Sequence, residues 1–230
     1  MTIKMPQIET PIFITNLISD SKKVEFRPFL AKEHKVLLTL QEAEIEEISH
    51  TVSNLVDVCT FNKLDVGNLP HFDLTWLFLK IRSKSIGEEI KIVVNCKCGN
   101  KVKSSYSLED LKVIRDEKHD KKIILDGTYG VTMKYPNIEQ ALEIINKNDL
   151  TTEFISDHIE NIFTKDECWY AKDDKEIINN FVDSFTLKHM EKITEFYRSS
   201  PQLVQEVQAD CDKCGNHIDA KISGLYNFFV

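Results

Sequence analysis

The chain has 230 residues, of which 42% are hydrophobic and 29% are charged; this composition excludes global disorder and predicts one large domain or two small ones. Its apolar stretches fall far short of the ~20 residues of a membrane span, and its first residues lack a signal-peptide pattern, so we expect no membrane segment and a reducing cytoplasm. The net charge of −8 makes nucleic acid a poor default partner, because lysine and arginine contacts to phosphate supply most of that affinity.

Residues 1–22 show no helical or strand period and contain Pro6 and Pro11, so they are predicted to form an extended arm on the surface of this protein or of a neighbour. A short segment of this kind does not bury its apolar side chains by itself, because the buried area would not offset the cost of ordering the chain. We therefore expect the arm to gain order along a neighbouring subunit, through partner-binding residues Ile12, Phe13, Ile14 and Leu17.

Residues 23–230 are predicted to form a single α+β domain that begins with a short strand at 24–29 and a helical region at 30–87. Within that region, residues 69–82 are apolar on nearly every helical face, which is typical of a buried helix. We expect its large side chains to be almost inaccessible to solvent: Phe72, Trp76, Leu77 and Leu79.

Residues 88–135 alternate in the manner of strands and contain two turns, at 96–100 and 126–130, which predicts β-hairpins. From residue 137 to residue 199 the apolar period changes to that of helices, with capping residues before several of them. Residues 202–230 return to strands. The predicted fold is therefore α+β, with antiparallel hairpins 88–135, a mostly helical insertion 137–199 and a C-terminal ribbon 202–230.

Four of the six cysteines form two matched pairs, and each pair contains the sequence Lys-Cys-Gly-Asn between two strand-like segments. A tetrahedral zinc ion needs four soft ligands, and two cysteines in a tight turn supply one edge of that tetrahedron. The repeat predicts a zinc-ribbon-like knuckle holding structural zinc, with His217 as a conceivable substitute ligand. The alternative is a set of reduced thiols without metal. The predicted ligands are Cys96, Cys98, Cys211 and Cys214.

Motifs for catalysis are missing from the sequence: the seven glycines form no phosphate-binding loop, and neither a serine nucleophile motif nor a zinc protease motif occurs. We expect a protein that is not an enzyme and has no catalytic residues.

Two aromatic segments have two interpretations each. Cys168-Trp169-Tyr170 is either a lid on the helical core or a binding patch, and the tail with Phe228 and Phe229 docks on its own core or on a partner.

Residues 69–88 resemble the central block of the baseplate hub proteins of T-even-like contractile-tailed bacteriophages. Further similarities lie in the elements around Pro6 and Pro11, in residues 133–136, in the cysteine pairs and in the closing residues 224–229. The resemblance implies a non-enzymatic virion assembly protein in the tail baseplate, assembled in the host bacterial cytoplasm. It implies other baseplate hub and tail tube proteins as partners, with no small-molecule substrate, membrane or nucleic acid.

Two other classes of function stay open at this stage. A zinc-ribbon nucleic-acid-binding or regulatory module would need a basic face, for which the net-positive residues 81–130 are the candidate. A hydrolase would need a polar pocket with perturbed titrating groups.

Overall fold

The computed structural model describes residues 9–40, 43–147 and 150–225. By the contacts within the chain they divide into two compact units. Unit 1 comprises the described parts of Met1–Asn68, Phe72–Lys112 and Leu203–Val230, and unit 2 comprises Leu69–His71 and Val113–Gln202. The predicted α+β class is confirmed, with 40% helix, 27% strand and antiparallel hairpins.

The described part of unit 1 contains three α-helices and three antiparallel hairpins, the last of which is far from the others in the chain. Its elements are β1 (Phe13–Asn16), β2 (Lys23–Phe26), α1 (Ala31–Thr39), α2 (Ile45–Cys59), α3 (His71–Ile86), β3 (Glu89–Asn95), β4 (Lys101–Ser107), β10 (Gln202–Asp210) and β11 (His217–Ser223). Strands β1 and β2 form one two-stranded sheet, and β3 and β4 form another. Strand β10 lies between β11 and a short strand, β5 (Lys112–Ile114), where the chain leaves this unit.

Part of the predicted arm is docked on unit 1. Strand β1 pairs antiparallel with β2, and the ring of Phe13 stacks on that of Phe26 at 5.7 Å. The carboxylate of Asp73 in α3 accepts hydrogen bonds from the backbone amides of Ile18 (2.6 Å) and Ser19 (3.3 Å). Residues 13–19 therefore gain order on their own chain, whereas the sequence suggested a neighbouring subunit. Residues 1–8 lie outside the described part.

The predicted buried helix is α3, where Phe72, Leu77 and Leu79 are at most 2% exposed. The expectation for Trp76 was wrong, because this side chain is only partly buried. Its indole N–H donates to the carbonyl oxygen of Asn16 at 3.0 Å and to Oγ1 of Thr15 at 3.2 Å. A tryptophan needs a partner for this donor when it is covered, and here β1 supplies it at the surface.

Unit 2 combines an antiparallel sheet of order β6-β7-β8-β9 with four helices. Its elements are β6 (Lys122–Ile124), β7 (Gly130–Met133), α4 (Ile138–Lys147), α5 (Thr152–His158), β8 (Ile159–Phe163), β9 (Cys168–Tyr170), α6 (Lys175–Asp183) and α7 (Leu187–Ser199). The stretch predicted to be mostly helical contains α4 to α7, and strands β8 and β9 lie between α5 and α6. Ile159 and Ile162 are three residues apart, which does not match the two-residue period of a strand. Both are buried because the register with β7 shifts between Thr132 and Met133, so that they pair with Met133 and Val131.

A contiguous apolar core fills unit 2. At Gly130, a Cβ atom would lie 2.3 Å from the ring of Phe163, so only glycine allows the approach of β8. Trp169 packs partly buried against the core while Cys168 and Tyr170 are exposed, which favours the lid interpretation for the indole. The core side chains are Leu125, Val131, Met133, Ile155, Ile159, Ile162, Ile178, Val182, Ile193 and Phe196.

Within the described residues, no helix has both the length and the apolar character needed to cross a membrane.

Candidate metal centre

Two hairpins of unit 1 present the paired cysteines at their tips. In the first hairpin, the last paired residues are Asn95 and Lys101, which leaves the five-residue loop 96–100. In the second, Asp210 pairs with His217, which leaves the six-residue loop 211–216. The second loop is one residue longer because its cysteines are separated by two residues instead of one. In both hairpins the last strand pair lies directly before the first cysteine and directly after the asparagine.

The backbone of the two knuckles is nearly the same. The amide of the first cysteine donates to the carbonyl of the asparagine that ends the loop, at 2.8 Å from Cys96 to Asn100 and at 2.9 Å from Cys211 to Asn216. The glycine after the second cysteine has a positive φ, 81° at Gly99 and 70° at Gly215. Glycine adopts this conformation without a steric penalty, which explains its place in both repeats.

The four sulfur atoms converge on one point. The Sγ atoms of Cys96 and Cys214 are 3.6 Å apart, those of Cys98 and Cys211 are 3.7 Å apart, and all four lie within 4.8 Å of one another. A tetrahedral ion with metal–sulfur bonds of ~2.3 Å requires sulfur–sulfur distances of about 3.8 Å. The four predicted ligands are thus brought together with the spacing of a tetrathiolate site and could hold a metal ion.

Each pair has one buried and one exposed cysteine. Cys96 and Cys211 are 5% and 2% exposed, and they pack with Val102, Ala209 and Ile218 in a small apolar cluster. Cys98 and Cys214 are exposed. The centre therefore has an apolar floor and an open side.

Asn100 links the two knuckles, and sequence reasoning did not single it out. Its side-chain Nδ2 donates to Sγ of Cys211 at 3.5 Å and to Oδ1 of Asp212 at 2.6 Å. The equivalent Asn216 donates instead to the backbone carbonyl of its neighbour His217, at 3.0 Å. The repeated asparagine was visible in the sequence, but its two different roles depend on the contact between hairpins.

Hydrogen bonding gives the thiols of Cys211 and Cys214 different pKa values. Desolvation would raise the pKa of Cys211, but donors from Asn100 and from the amides of Cys214 and Lys213 lower that pKa to about 6. The backbone amide of Asn216 lowers the pKa of Cys214, yet its three neighbouring thiols outweigh this and raise the pKa to about 12. The thiolate of Cys211 therefore forms readily, while Cys214 resists losing its proton. A cation would neutralise the negative charges of such adjacent groups.

The other predicted site residues are dispersed. Ile12 and Ile14 are 60% and 63% exposed, whereas Leu17 is 5% exposed and packs in unit 1. Phe13 is half-buried on Phe26. Phe228 and Phe229 lie outside the described residues. The proposed substitute ligand His217 is not a member of the sulfur cluster, and its Nδ1 pairs with Asp210 at 2.6 Å.

The chain as a whole matches a known protein family. A family model described as "T4 bacteriophage base plate protein" matches residues 10–230, which include both hairpins and the whole of unit 2. The chain belongs to the T4 bacteriophage base plate protein family. Neither a search of curated proteins nor a search of solved structures gave a match.

Membership of the T4 base plate family gives this molecule a structural role in the virion tail baseplate. Its partners are accordingly other phage baseplate and tail proteins. Within this T4 base plate protein the cysteine centre joins two hairpins of unit 1 that are separated in the chain by unit 2. Four cysteines would fill all four coordination positions of a tetrahedral ion and leave none for a substrate, which suits a structural metal rather than a catalytic one.

Proposed function

We propose that this protein is a non-enzymatic structural and assembly component of the central baseplate hub, where it binds other hub proteins and the tail tube. The family match over residues 10–230 carries the proposal as far as the baseplate. The resemblance of residues 69–88 to hub proteins supports the hub, and these residues include the whole of α3, to which the arm is anchored.

The contact surface of this proposal is the outer side of the ordered arm. Ile12 and Ile14 are exposed, while Phe13 between them is held against β2. Two isoleucines fixed on a docked segment lose little further entropy when a partner covers them, and covering them removes apolar surface from water. The segment is therefore preorganised for contact with another subunit.

The hub proposal is tested by tagging the protein in infected cells and separating the hub and wedge assembly intermediates. The protein should be recovered with the hub intermediate. The double variant Ile12→Asp/Ile14→Asp should weaken that recovery, because it places two charges in the contact. Leu187→Asp is the matched control, since Leu187 is 83% exposed in unit 2. Recovery with wedges alone would contradict the hub proposal, and equal recovery of all variants would contradict the contact surface.

We also propose that the metal is zinc and that the two knuckles form a structural zinc ribbon. The four convergent thiols support a tetrathiolate ion, for which zinc and iron are the common occupants. In a reducing host cytoplasm the thiols stay available for a metal. Zinc would join the two hairpins and leave no open coordination position, so no chemistry is assigned to it.

Elemental analysis of the purified full-length chain tests the zinc proposal. We expect about one zinc per chain, lost in Cys98→Ser and Cys214→Ser and retained in Cys59→Ser and Cys168→Ser, whose thiols lie outside the cluster. Stoichiometric iron would replace zinc in the proposal. Metal-free protein that fails to take up zinc would refute it without affecting the hub assignment.

A further inference from the structure

The hairpin that carries the first knuckle has one buried and one exposed face. Side chains that point inward from β3 and β4 include Ile90 and Tyr106, which are 1% and 6% exposed. The residues between them point outward and are exposed along both strands. The members of this outer face are Glu89, Lys91, Val93, Asn95, Lys101, Lys103 and Ser105.

This outer face is strongly basic in an acidic molecule. Residues 89–107 contain four lysines and one glutamate, a net charge of +3, in a chain of net charge −8. Lys91, Lys101 and Lys103 form no ion pair with any other residue that the structure describes. An open groove of about 470 Å³ runs over the face and is lined by Lys91, Val93, Lys103 and Ser105 among others.

The lysines follow the repeat of an extended chain. Lys91 in β3 pairs across the hairpin with Ser105, so along the hairpin axis the three lysines stand at the levels of residues 105, 103 and 101 of β4. Alternate residues on a strand are about 6.8 Å apart, which is also the spacing of same-side side chains in an extended peptide. Carboxylates at every second residue of such a peptide would therefore meet one lysine each.

We propose that this outer face is a docking site for an extended acidic segment of another baseplate protein, with Asp or Glu at alternate positions. Val93 lies opposite Lys103 in the register and is 49% exposed, so it offers apolar contact between the charges. Glu89 at the far end repels a further carboxylate and limits the acidic run. A polypeptide is favoured over nucleic acid because the net charge of −8 repels a long polyanion.

Charge complementarity of this kind mainly sets specificity and the rate of encounter. This docking proposal is independent of the hub assignment. It requires only a partner with the stated charge pattern, wherever in the baseplate the protein lies. Its test therefore uses the isolated full chain and a synthetic peptide, and the result does not depend on where the protein lies in the virion.

The probe is a fluorescent peptide in which five glutamates alternate with threonines, and its isomer has the same residues with the glutamates consecutive. Binding is measured by fluorescence anisotropy at low and at physiological salt. The alternating peptide should bind more tightly, and salt should weaken its binding. Lys91→Glu/Lys103→Glu should lower the affinity by about tenfold or more, since two attractions become repulsions.

Lys35→Glu/Lys188→Glu is the matched control, because it changes the net charge equally at exposed lysines elsewhere. It should change the affinity by less than about twofold. If the charge-reversal variant does not fold, Lys91→Gln/Lys103→Gln replaces it in the binding measurement, because it removes the same two charges without adding negative ones. Equal binding of the two peptides, or equal loss in both double variants, would overturn the proposal. So would a single-stranded oligonucleotide that binds through Lys91 and Lys103 more tightly than the peptide, which would make the face a nucleic-acid site.

Discussion

The two units of this protein are stabilised in different ways. Unit 2 is a nearly continuous stretch of chain with a core of ten buried apolar side chains. Unit 1 is interrupted by unit 2, and contacts between residues distant in sequence join its parts, such as Asp73 with Ile18 and Cys98 with Cys211. Closing a long loop costs entropy, so a few strong cross-links matter more in unit 1 than in unit 2.

Loss of the proposed zinc should have the largest effect, and this effect should be confined to unit 1. Structural zinc stabilises small metal domains by ~10–16 kcal/mol at neutral pH. Cys214→Ser or a strong chelator should therefore release β10 and β11 from the β3–β4 hairpin. Hydrogen exchange should rise in residues 89–107 and 202–223 and stay low in residues 130–133 and 159–163 of unit 2.

Cys168→Ser is the control for this experiment, because Cys168 is an exposed thiol of unit 2. It should leave exchange in both hairpins unchanged. If chelation raised exchange equally in the two units, they would unfold together, and the distinction between a cross-linked and a packed unit would fail.

The knuckles and the buried helix could be predicted from the sequence, because each has a strong local signal. The repeat Lys-Cys-Gly-Asn marks both turns, and an apolar pattern on all faces marks α3. Strands β8 and β9 could not be predicted, because the spacing of Ile155, Ile159 and Ile162 is that of a helix, and only a register shift against β7 lets Ile159 and Ile162 both be buried in a strand.

Contacts between distant segments explain the other differences. Nothing near Trp76 in the sequence shows that its indole N–H will find an acceptor in β1, sixty residues earlier. In the same way, the asparagine of each knuckle has the same neighbours, yet only Asn100 reaches a thiol of the other knuckle. Local patterns specify the elements, and tertiary packing decides which of their polar groups meet.

A cavity in unit 2 should have the second largest effect. Ile155 is fully buried in its core, so Ile155→Ala should cost about 2–5 kcal/mol through lost burial and the cavity left behind. Chemical denaturation followed by near-UV signals of unit 2 measures this loss. Ile177→Ala is the control, since Ile177 is 43% exposed and its loss should change stability by about 0.5 kcal/mol or less. A comparable loss in both variants would argue against a tightly packed core.

A smaller effect should separate the two asparagines of the knuckles. Asn100→Ala removes a donor to the sulfur of Cys211 and should weaken metal binding by about 10–100-fold. Asn216→Ala removes only a contact with a backbone carbonyl and should leave the metal affinity nearly unchanged. Competition with a chromogenic chelator measures both. Equal losses would show that the asparagines act on the turns and not on the thiolate.

The smallest effect should come from mild acid, and it should affect unit 2. Burial lowers the pKa of His158, whose ring stacks on Phe154 at 4.1 Å and whose Nδ1 donates to the carbonyl oxygen of residue 154 at 2.7 Å. Its Nε2 is buried and has no hydrogen-bond partner among the residues that the structure describes, so the neutral ring suits the site. Lys134 also disfavours the charged ring, while Asp157 and Glu143 favour it.

Because the pKa of His158 is lower in the folded state, the unfolded state takes up its proton first as the pH falls. Unit 2 should keep its full stability above the unfolded pKa of about 6.5 and lose stability as the pH falls through that value toward the lower folded pKa. His158→Asn retains a donor near Nδ1 and removes the titrating ring, so it should make the pH profile of unit 2 unfolding less steep between about pH 7.5 and 5. Part of the slope should remain, because burial also lowers the pKa of His71 and of His119 in this unit. His34→Asn in unit 1 should not change that profile. A wild-type profile that stays flat would mean that the imidazole is hydrated in the folded unit, and unit 2 would then be less tightly packed than its core suggests.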